Sequence, residues 1–256
     1  MVRLVAGVAV VAMALGITAM VAHRRDSHCQ RSFVPAFFYP GPQWTQATGS
    51  SPPPAYLIFN VDSGPGTGQN PAFSAAAIRV RAAGVTILGY ITTEYGHRPL
   101  ADAEADVRAY RNLYGISSYF LDLTAPTNAE LGYYRALVSY IRGLNPAASI
   151  WLNPGTYPAP QYMQLGTVVM VSETSYAGYQ SVSVPAWAAD YPADRFAISI
   201  YGTSKPQLTA VLGLARQRHV GYIFVTDRAG PPADPYGGLP SYWASETALA
   251  VGTCAS

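Results

Sequence analysis

Two acidic residues each close an apolar run: Asp122 ends "SYFLD" (118–122) and Glu173 ends "TVVMVSE" (167–173). A carboxylate at the end of a buried strand sits at the mouth of a core, where desolvation and a like-charged neighbour set its ionisation. Two carboxylates so placed can cleave a glycosidic bond, one attacking the anomeric carbon while the other acts as acid and then as base. The competing reading is structural: each acid caps the turn after its strand or pairs with an arginine.

The elements that position these acids follow from the pattern of the chain. Eight β-branched or aromatic runs, at 33–39, 56–60, 86–91, 118–122, 149–153, 167–173, 196–201 and 222–227, are separated by turns rich in Gly, Pro, Asn and Asp. Helical periodicity fills several of the intervals. The clearest helix covers 128–144, with Leu131, Tyr134, Val138 and Ile141 on one face and Asn145-Pro146 as its stop. Thr127 and Glu130 have the T-x-x-E spacing of a capping box at its start. Further helices are expected at 73–83, 102–114 and about 206–218, with short or missing helices after the first, fifth and sixth runs.

Strands that are apolar on both faces and alternate with helices predict parallel pairing. The simplest closed solution is an α/β fold, a (β/α)8 TIM barrel forming a single domain over residues 29–256. Its functional end is the C-terminal end of the strands. Residues at or just beyond those ends supply the candidate substrate-binding set Tyr39, Asn60, Tyr90, Tyr95, Asn153, Tyr176, Tyr201 and Asp227. Asp122 and Glu173 end the fourth and sixth strands, about 10 Å apart at the backbone from a strand spacing of about 4.8 Å. Inward-leaning side chains would bring the carboxyls to about 5 Å, the separation of a retaining pair. An excess of tyrosine over phenylalanine, 19 against 8, suits rings that need a polar partner at one end, as in a saccharide groove.

Several other chemistries are excluded. Net charge is +2 and Lys205 is the only lysine, so the concentrated basic footprint that nucleic acid requires is missing. "SGPGTGQN" (63–70) lacks both the Lys-Ser/Thr of a P-loop and dinucleotide-fold spacing. Histidines 23, 28, 97 and 219 show no zinc-binding spacing, and there is no G-x-S-x-G elbow. No metal or other cofactor is expected, and the chain is expected to be a monomer.

Residues 1–28 read as a signal peptide or an uncleaved membrane anchor, because an aliphatic run at 4–22 follows Arg3 and "HRRDSH" follows the run. Any membrane contact would come through this segment alone. The two cysteines, Cys29 and Cys254, flank the folded domain, and a disulfide between them would tie its ends together. Such a bond requires an oxidising compartment, which points to the outside of the cell. A loop of that length would contribute about 5 kcal/mol in the chain-entropy model.

Five motifs, "FNVDSGPG" (59–66), "ILGYITTEYGHR" (87–98), "YFLD" (119–122), "WLNPGT" (151–156) and "VSETSY" (171–176), resemble in order and spacing the spherulin-4-like, spherulation-specific family. That resemblance implies a barrel related to glycoside hydrolase families 135 and 114, acting internally on α-1,4-linked, galactosamine-rich exopolysaccharide. It implies Asp122 and Glu173 as the catalytic carboxylates: Asp122 as nucleophile and Glu173 as general acid/base, or the reverse. Where members of that family carry a second acid directly after the strand-four aspartate, this chain has Leu123. Two readings follow. Either the second acid only tunes substrate preference, or the chain is an inactive carbohydrate-binding barrel at the cell surface.

Overall fold

A computed structural model describes residues 29–252. The signal or anchor segment 1–28 and Cys254 lie outside the described residues. Eight parallel strands close into a barrel in chain order: β1 (Arg31–Ala36), β2 (Tyr56–Phe59), β3 (Thr86–Thr92), β4 (Tyr119–Asp122), β5 (Ile150–Leu152), β6 (Val168–Ser175), β7 (Phe196–Tyr201) and β8 (Tyr222–Val225). The seam pairs Arg31 with Tyr222 and Ser32 with Ile223. Beside it the Gln30 N–H donates to the Ala250 carbonyl at 3.2 Å, so the two ends of the described chain meet. Among the described residues, no helix is long and apolar enough to cross a membrane.

Among the described residues, seven helices surround the barrel: α1 (Pro42–Thr48), α2 (Pro71–Ala82), α3 (Leu100–Tyr114), α4 (Leu131–Leu144), α5 (Tyr176–Gln180), α6 (Lys205–Gln217) and α7 (Trp243–Val251). In α4 the residues facing the sheet are Leu131, Tyr134, Leu137, Val138 and Ile141, all buried, which is the i, i+3, i+4 stripe that a helix packed on a sheet requires. Helix α2 starts where the Asn70 side chain accepts the N–H groups of Ala72 and Phe73 and Pro71 occupies the first turn. As expected, the links after β1, β5 and β6 carry short elements: α1, a 3-10 turn at Pro160–Gln164, and α5 followed by 3-10 turns at Ala186–Asp190 and Ala193–Arg195.

The start of α4 corrects the sequence reading. Thr127 makes no side-chain cap, residues Asn128–Glu130 form a separate 3-10 turn, and the α-helix begins at Leu131. The Glu130 side chain lies instead against Gly96 of the β3–α3 loop, where a Cβ would come within 2.7 Å of the Glu130 Cβ. Packing against the neighbouring loop draws the carboxylate away from Thr127. A capping box does form at α6, between Ser204 and Gln207.

Aromatic rings fill the barrel interior. Trp151 contacts Phe33, Tyr56 and Tyr222 at centroid distances of 5.1, 4.8 and 5.2 Å, so side chains from β1, β2, β5 and β8 plug the lumen. A second layer, closer to the strand ends, joins Phe37, Tyr90, Phe120, Phe224 and Tyr236. The candidate site stands on this layer.

Candidate active site

Asp122 ends β4 and Glu173 lies in the last part of β6, with only β5 between them. Asn153, the residue directly after β5, fills the gap: its Nδ2 donates to Asp122 Oδ1 and to Glu173 Oε2, both at 2.7 Å. Those two oxygens are therefore no farther apart than twice that length. The orientation of the amide follows from its other end, because Asn153 Oδ1 accepts the Gly155 N–H at 3.0 Å, leaving only the two hydrogens of the amine for the carboxylates. Gly155 has φ of 66°, the left-handed backbone that glycine adopts at least cost. Its carbonyl accepts the Glu173 N–H at 3.1 Å, so the Asn153-Pro154-Gly155 turn is tied to the strand that bears the second acid.

Glu173 faces the lumen because β6 contains a bulge. Met170 pairs with Ala197, but after the bulge Ser172 pairs with Ile198 and Glu173 with Ser199. Met170 and Glu173 stand three residues apart and would point to opposite faces of a regular strand. The extra residue, Val171, puts both on the face of Ala197 and Ser199, which is the re-aiming that bulges provide.

Two tyrosines complete the arrangement. Tyr90 on β3 donates its hydroxyl to Asp122 Oδ2 at 2.8 Å. Tyr236, in the long link between β8 and α7, donates to Glu173 Oε1 at 2.7 Å and itself accepts from Ser199 Oγ at 3.0 Å. The ring of Phe37 stands edge-on to both tyrosines, with centroids 5.3 Å from Tyr90 and 5.6 Å from Tyr236. A continuous chain of polar contacts thus runs Tyr90, Asp122, Asn153, Glu173, Tyr236, Ser199.

The electrostatics of the two acids differ. Burial raises Asp122 above the ordinary aspartate value, opposed by hydrogen bonds from Tyr90, Asn153 and the Leu123 N–H. Burial also raises Glu173, opposed by Asn153 and Tyr236 only, and the negative charge of Asp122 raises it further. Each carboxylate accepts two side-chain hydrogen bonds, Asp122 from Tyr90 and Asn153 and Glu173 from Asn153 and Tyr236, and two acids this close titrate as a pair.

Leu123 adopts φ of 49°, a left-handed conformation unusual for a leucine. Its carbonyl is held by Thr93 Oγ1 at 2.8 Å and by the Tyr95 N–H at 2.7 Å, and its side chain is 37% exposed at the rim. The Thr93 N–H donates to the Asp122 carbonyl at 2.9 Å. The β3–α3 loop therefore fixes the backbone on both sides of the Asp122–Leu123 peptide.

Of the residues singled out from the sequence, the structure brings Asp122, Glu173, Tyr90 and Asn153 together. Tyr39 and Tyr95 are exposed by 66% and 49% and stand on the rim after β1 and β3. The Asn60 Oδ1 accepts the Gly64 N–H at 2.9 Å and so braces its own turn. Tyr176 opens α5 half-buried, and the half-buried ring of Tyr201 lies against Gly230. Asp227 stands apart from the cluster: it is exposed, and its carboxylate accepts from the Ser241 N–H and hydroxyl. Strand β8 ends at Val225, so Asp227 lies in the following turn instead of at the strand end.

Sequence reasoning missed Tyr236, Ser199 and Phe37. Only Tyr236 left a signal: it sits in a long link, 226–242, in an otherwise compact barrel, and such loops tend to be functional. There it follows Asp234, whose Oδ1 accepts the Tyr236 N–H at 2.8 Å.

Comparison with known proteins agrees with the fold. The chain aligns with Sph3 of Aspergillus clavatus, solved in complex with GalNAc, at a TM-score of 0.75 and 21% identity, covering 87% of this chain and 98% of that one. It aligns with a chitinase (RmChi1) of Rhizomucor miehei at a TM-score of 0.53 and 9% identity, covering 85% and 99% respectively. In sequence it is 26% identical over 225 residues to Spherulin-4 of Physarum polycephalum, covering 83% of this chain and 68% of that protein. The sequence model of spherulation-specific family 4 spans residues 32–250, from β1 through all eight strands into α7, and the chain belongs to that family.

Proposed function

We propose that this protein is a glycoside hydrolase that cuts within an amino-sugar-containing, galactosamine-rich polysaccharide by a retaining mechanism. The observation that carries the reading is the Asn153 amine set between two desolvated carboxylates, 2.7 Å from each. An inverting pair keeps its carboxyls about 6.5–9.5 Å apart to admit water, whereas a retaining pair stands at about 5–5.5 Å. The Asn153 bridge favours the closer arrangement. The amino-sugar preference draws on the GalNAc complex of the A. clavatus protein.

In the first step an Asp122 oxygen bonds to the anomeric carbon as the glycosidic bond breaks, and the Glu173 proton passes to the leaving oxygen. In the second, the Glu173 carboxylate takes a proton from water, the water oxygen bonds to the anomeric carbon, and Asp122 is released. The assignment of Asp122 as nucleophile and Glu173 as acid/base follows the family resemblance, and the leaving-group dependence of Asp122→Asn and Glu173→Gln tests it against the reverse.

The chain is proposed to work as a monomer outside the cell, exported or tethered through residues 1–28, with Cys29 bonded to Cys254. The meeting of Gln30 with Ala250 supports that bond, and the mass gained on alkylation with and without reduction tests it. The activity is tested by new reducing ends from deacetylated galactosamine-rich polysaccharide. Release by the parent and not by Asp122→Asn or Glu173→Gln is the expected result; polymer retained without cleavage would instead identify a binding barrel.

A further inference from the structure

The two carboxylates receive their tyrosines from different kinds of structure. Tyr90 is a residue of β3, held by barrel pairing of Tyr90 with Phe120. Tyr236 is delivered by the link after β8, which is pinned at several points. Its own N–H bonds Asp234, the Leu239 N–H donates to Gln43 Oε1 of α1 at 2.6 Å, and Ser241 bonds Asp227. The Tyr236 ring is packed against Phe37 and Phe224 at 5.6 and 6.1 Å. Its hydroxyl has one hydrogen. Since Ser199 Oγ donates to it, that hydrogen is directed to Glu173, giving the sequence Ser199 to Tyr236 to Glu173.

We propose that Tyr236 is the positioning residue of the acid/base carboxylate, aiming Glu173 and setting its acidity from the β8–α7 link. This rests on the two-carboxylate reading above. As Glu173 passes its proton to the leaving oxygen, negative charge grows on the carboxylate, and a hydrogen bond to a charged acceptor is stronger than one to a neutral acid. Tyr236 therefore favours the transition state over the ground state while keeping its own proton. Burial and the nearby Glu173 charge hold the phenol far above its ordinary range, consistent with a donor that never ionises. The titratable groups that face Glu173 are Asp122 from β4, Tyr236 from the β8–α7 link and Tyr90 from β3, and no cation is among them. The tyrosine hydroxyl and the Asn153 amine are thus the only groups that favour the Glu173 charge among the described residues.

The test uses the full chain with 13C-carboxyl-labelled glutamate, Glu173 being assigned by its loss in Glu173→Gln. Its titration is followed in the parent, Tyr236→Phe, Ser199→Ala and Tyr90→Phe, each checked for native near-UV circular dichroism. Tyr236→Phe keeps the ring in place, so packing is retained. The expected result is an upward shift of the Glu173 titration by about one pH unit in Tyr236→Phe, from loss of a bond to a charged group, and a smaller upward shift in Ser199→Ala. On the galactosamine-rich polymer, kcat falls about tenfold in Tyr236→Phe with KM within about twofold, and the alkaline limb of the pH profile moves up with the titration. An unmoved Glu173 titration in a folded Tyr236→Phe overturns the proposal, as does an equal shift of Glu173 in Tyr90→Phe. The carboxyl titration needs no turnover, so a parent that cleaves no polymer would count against the glycosidase reading while leaving the Tyr236 result to stand or fall separately.

Discussion

The strand-borne and loop-borne halves of the site use the same chemistry with different support. On one half, Tyr90 and Asp122 come from adjacent paired strands, and the peptide after Asp122 is clamped by Thr93 and Tyr95. On the other, Glu173 follows a bulge and its partner Tyr236 arrives from outside the barrel. In the proposed mechanism the rigid half holds the carboxylate that attacks, where positioning errors are costly. The loop-held half suits a group whose proton comes and goes.

Removing the acids should have the largest effect on either half of the site. Asp122→Asn is expected to lower turnover at least about 10³-fold, with no rescue by a better leaving group, because no covalent intermediate forms. Glu173→Gln is expected to lose about 10²–10⁴-fold on the polymer and to recover part of that on an aryl glycoside, whose leaving group needs no proton. Rescue of the Asp122 variant and not of the Glu173 variant would reverse the two roles.

The same substitutions carry a stability signature of opposite sign. Both acids are raised above their ordinary values, so the folded state binds protons more tightly than the unfolded chain. Their favourable contribution is fully present below the unfolded carboxyl value of about 4 and is lost as pH rises through the raised values. Glu173→Gln should therefore raise Tm at pH 7, and the gain should vanish below about pH 4. A Tm difference that does not change with pH would exclude a desolvated Glu173.

Next in size is Asn153→Ala, which removes the donor shared by both halves. Two desolvated carboxylates would then face each other directly, and both titrations should rise. We expect turnover to fall about 10²-fold, the loss typical of one preorganised donor, with a pH optimum moved upward. An unchanged optimum would mean that the Asn153 bridge does not set the ionisation of either acid.

Tyr90→Phe separates the halves more finely. It should shift the acidic limb of the pH profile upward, since Asp122 loses a bond that favours its charge, while leaving the alkaline limb in place. Movement of the alkaline limb instead would assign the proton to Asp122.

The smallest effect is expected at Leu123. Asparagine tolerates the left-handed backbone better than leucine, so Leu123→Asn should stabilise the fold by up to about 1 kcal/mol and leave turnover within about threefold. A loss above about tenfold would show that the leucine side chain itself contacts the substrate.

Much of this site could be read along the chain. Eight apolar runs bounded by turn residues locate the strands to within a few residues, since burial on both faces leaves a continuous signal. The fold then brings their ends together, which places Asp122, Asn153 and Tyr90 at one mouth. Asp227 shows the limit of that reading: β8 stops at Val225, and two further residues are enough to carry the carboxylate into the solvent-facing turn with Ser241. Thr127 and Glu130 show a second limit, since a helix cap depends on local sequence only until a neighbouring loop offers the side chain a better contact.

The sequence by itself determined the alternation of strands and helices, the closure they require and the acids at the ends of β4 and β6, because periodicity and turn chemistry are properties of neighbouring residues. Only the tertiary structure decided which way Glu173 points, which group reaches it from the β8–α7 link and how the Asn153 amide is turned. Each of these depends on a contact across the barrel: the β6 bulge is defined by its register with β7, Tyr236 by the rings of Phe37 and Phe224, and the amide by the carboxylates that flank it. Pairings between residues so far apart in the chain leave no local pattern, and it is these pairings that convert two strand-end acids into a site.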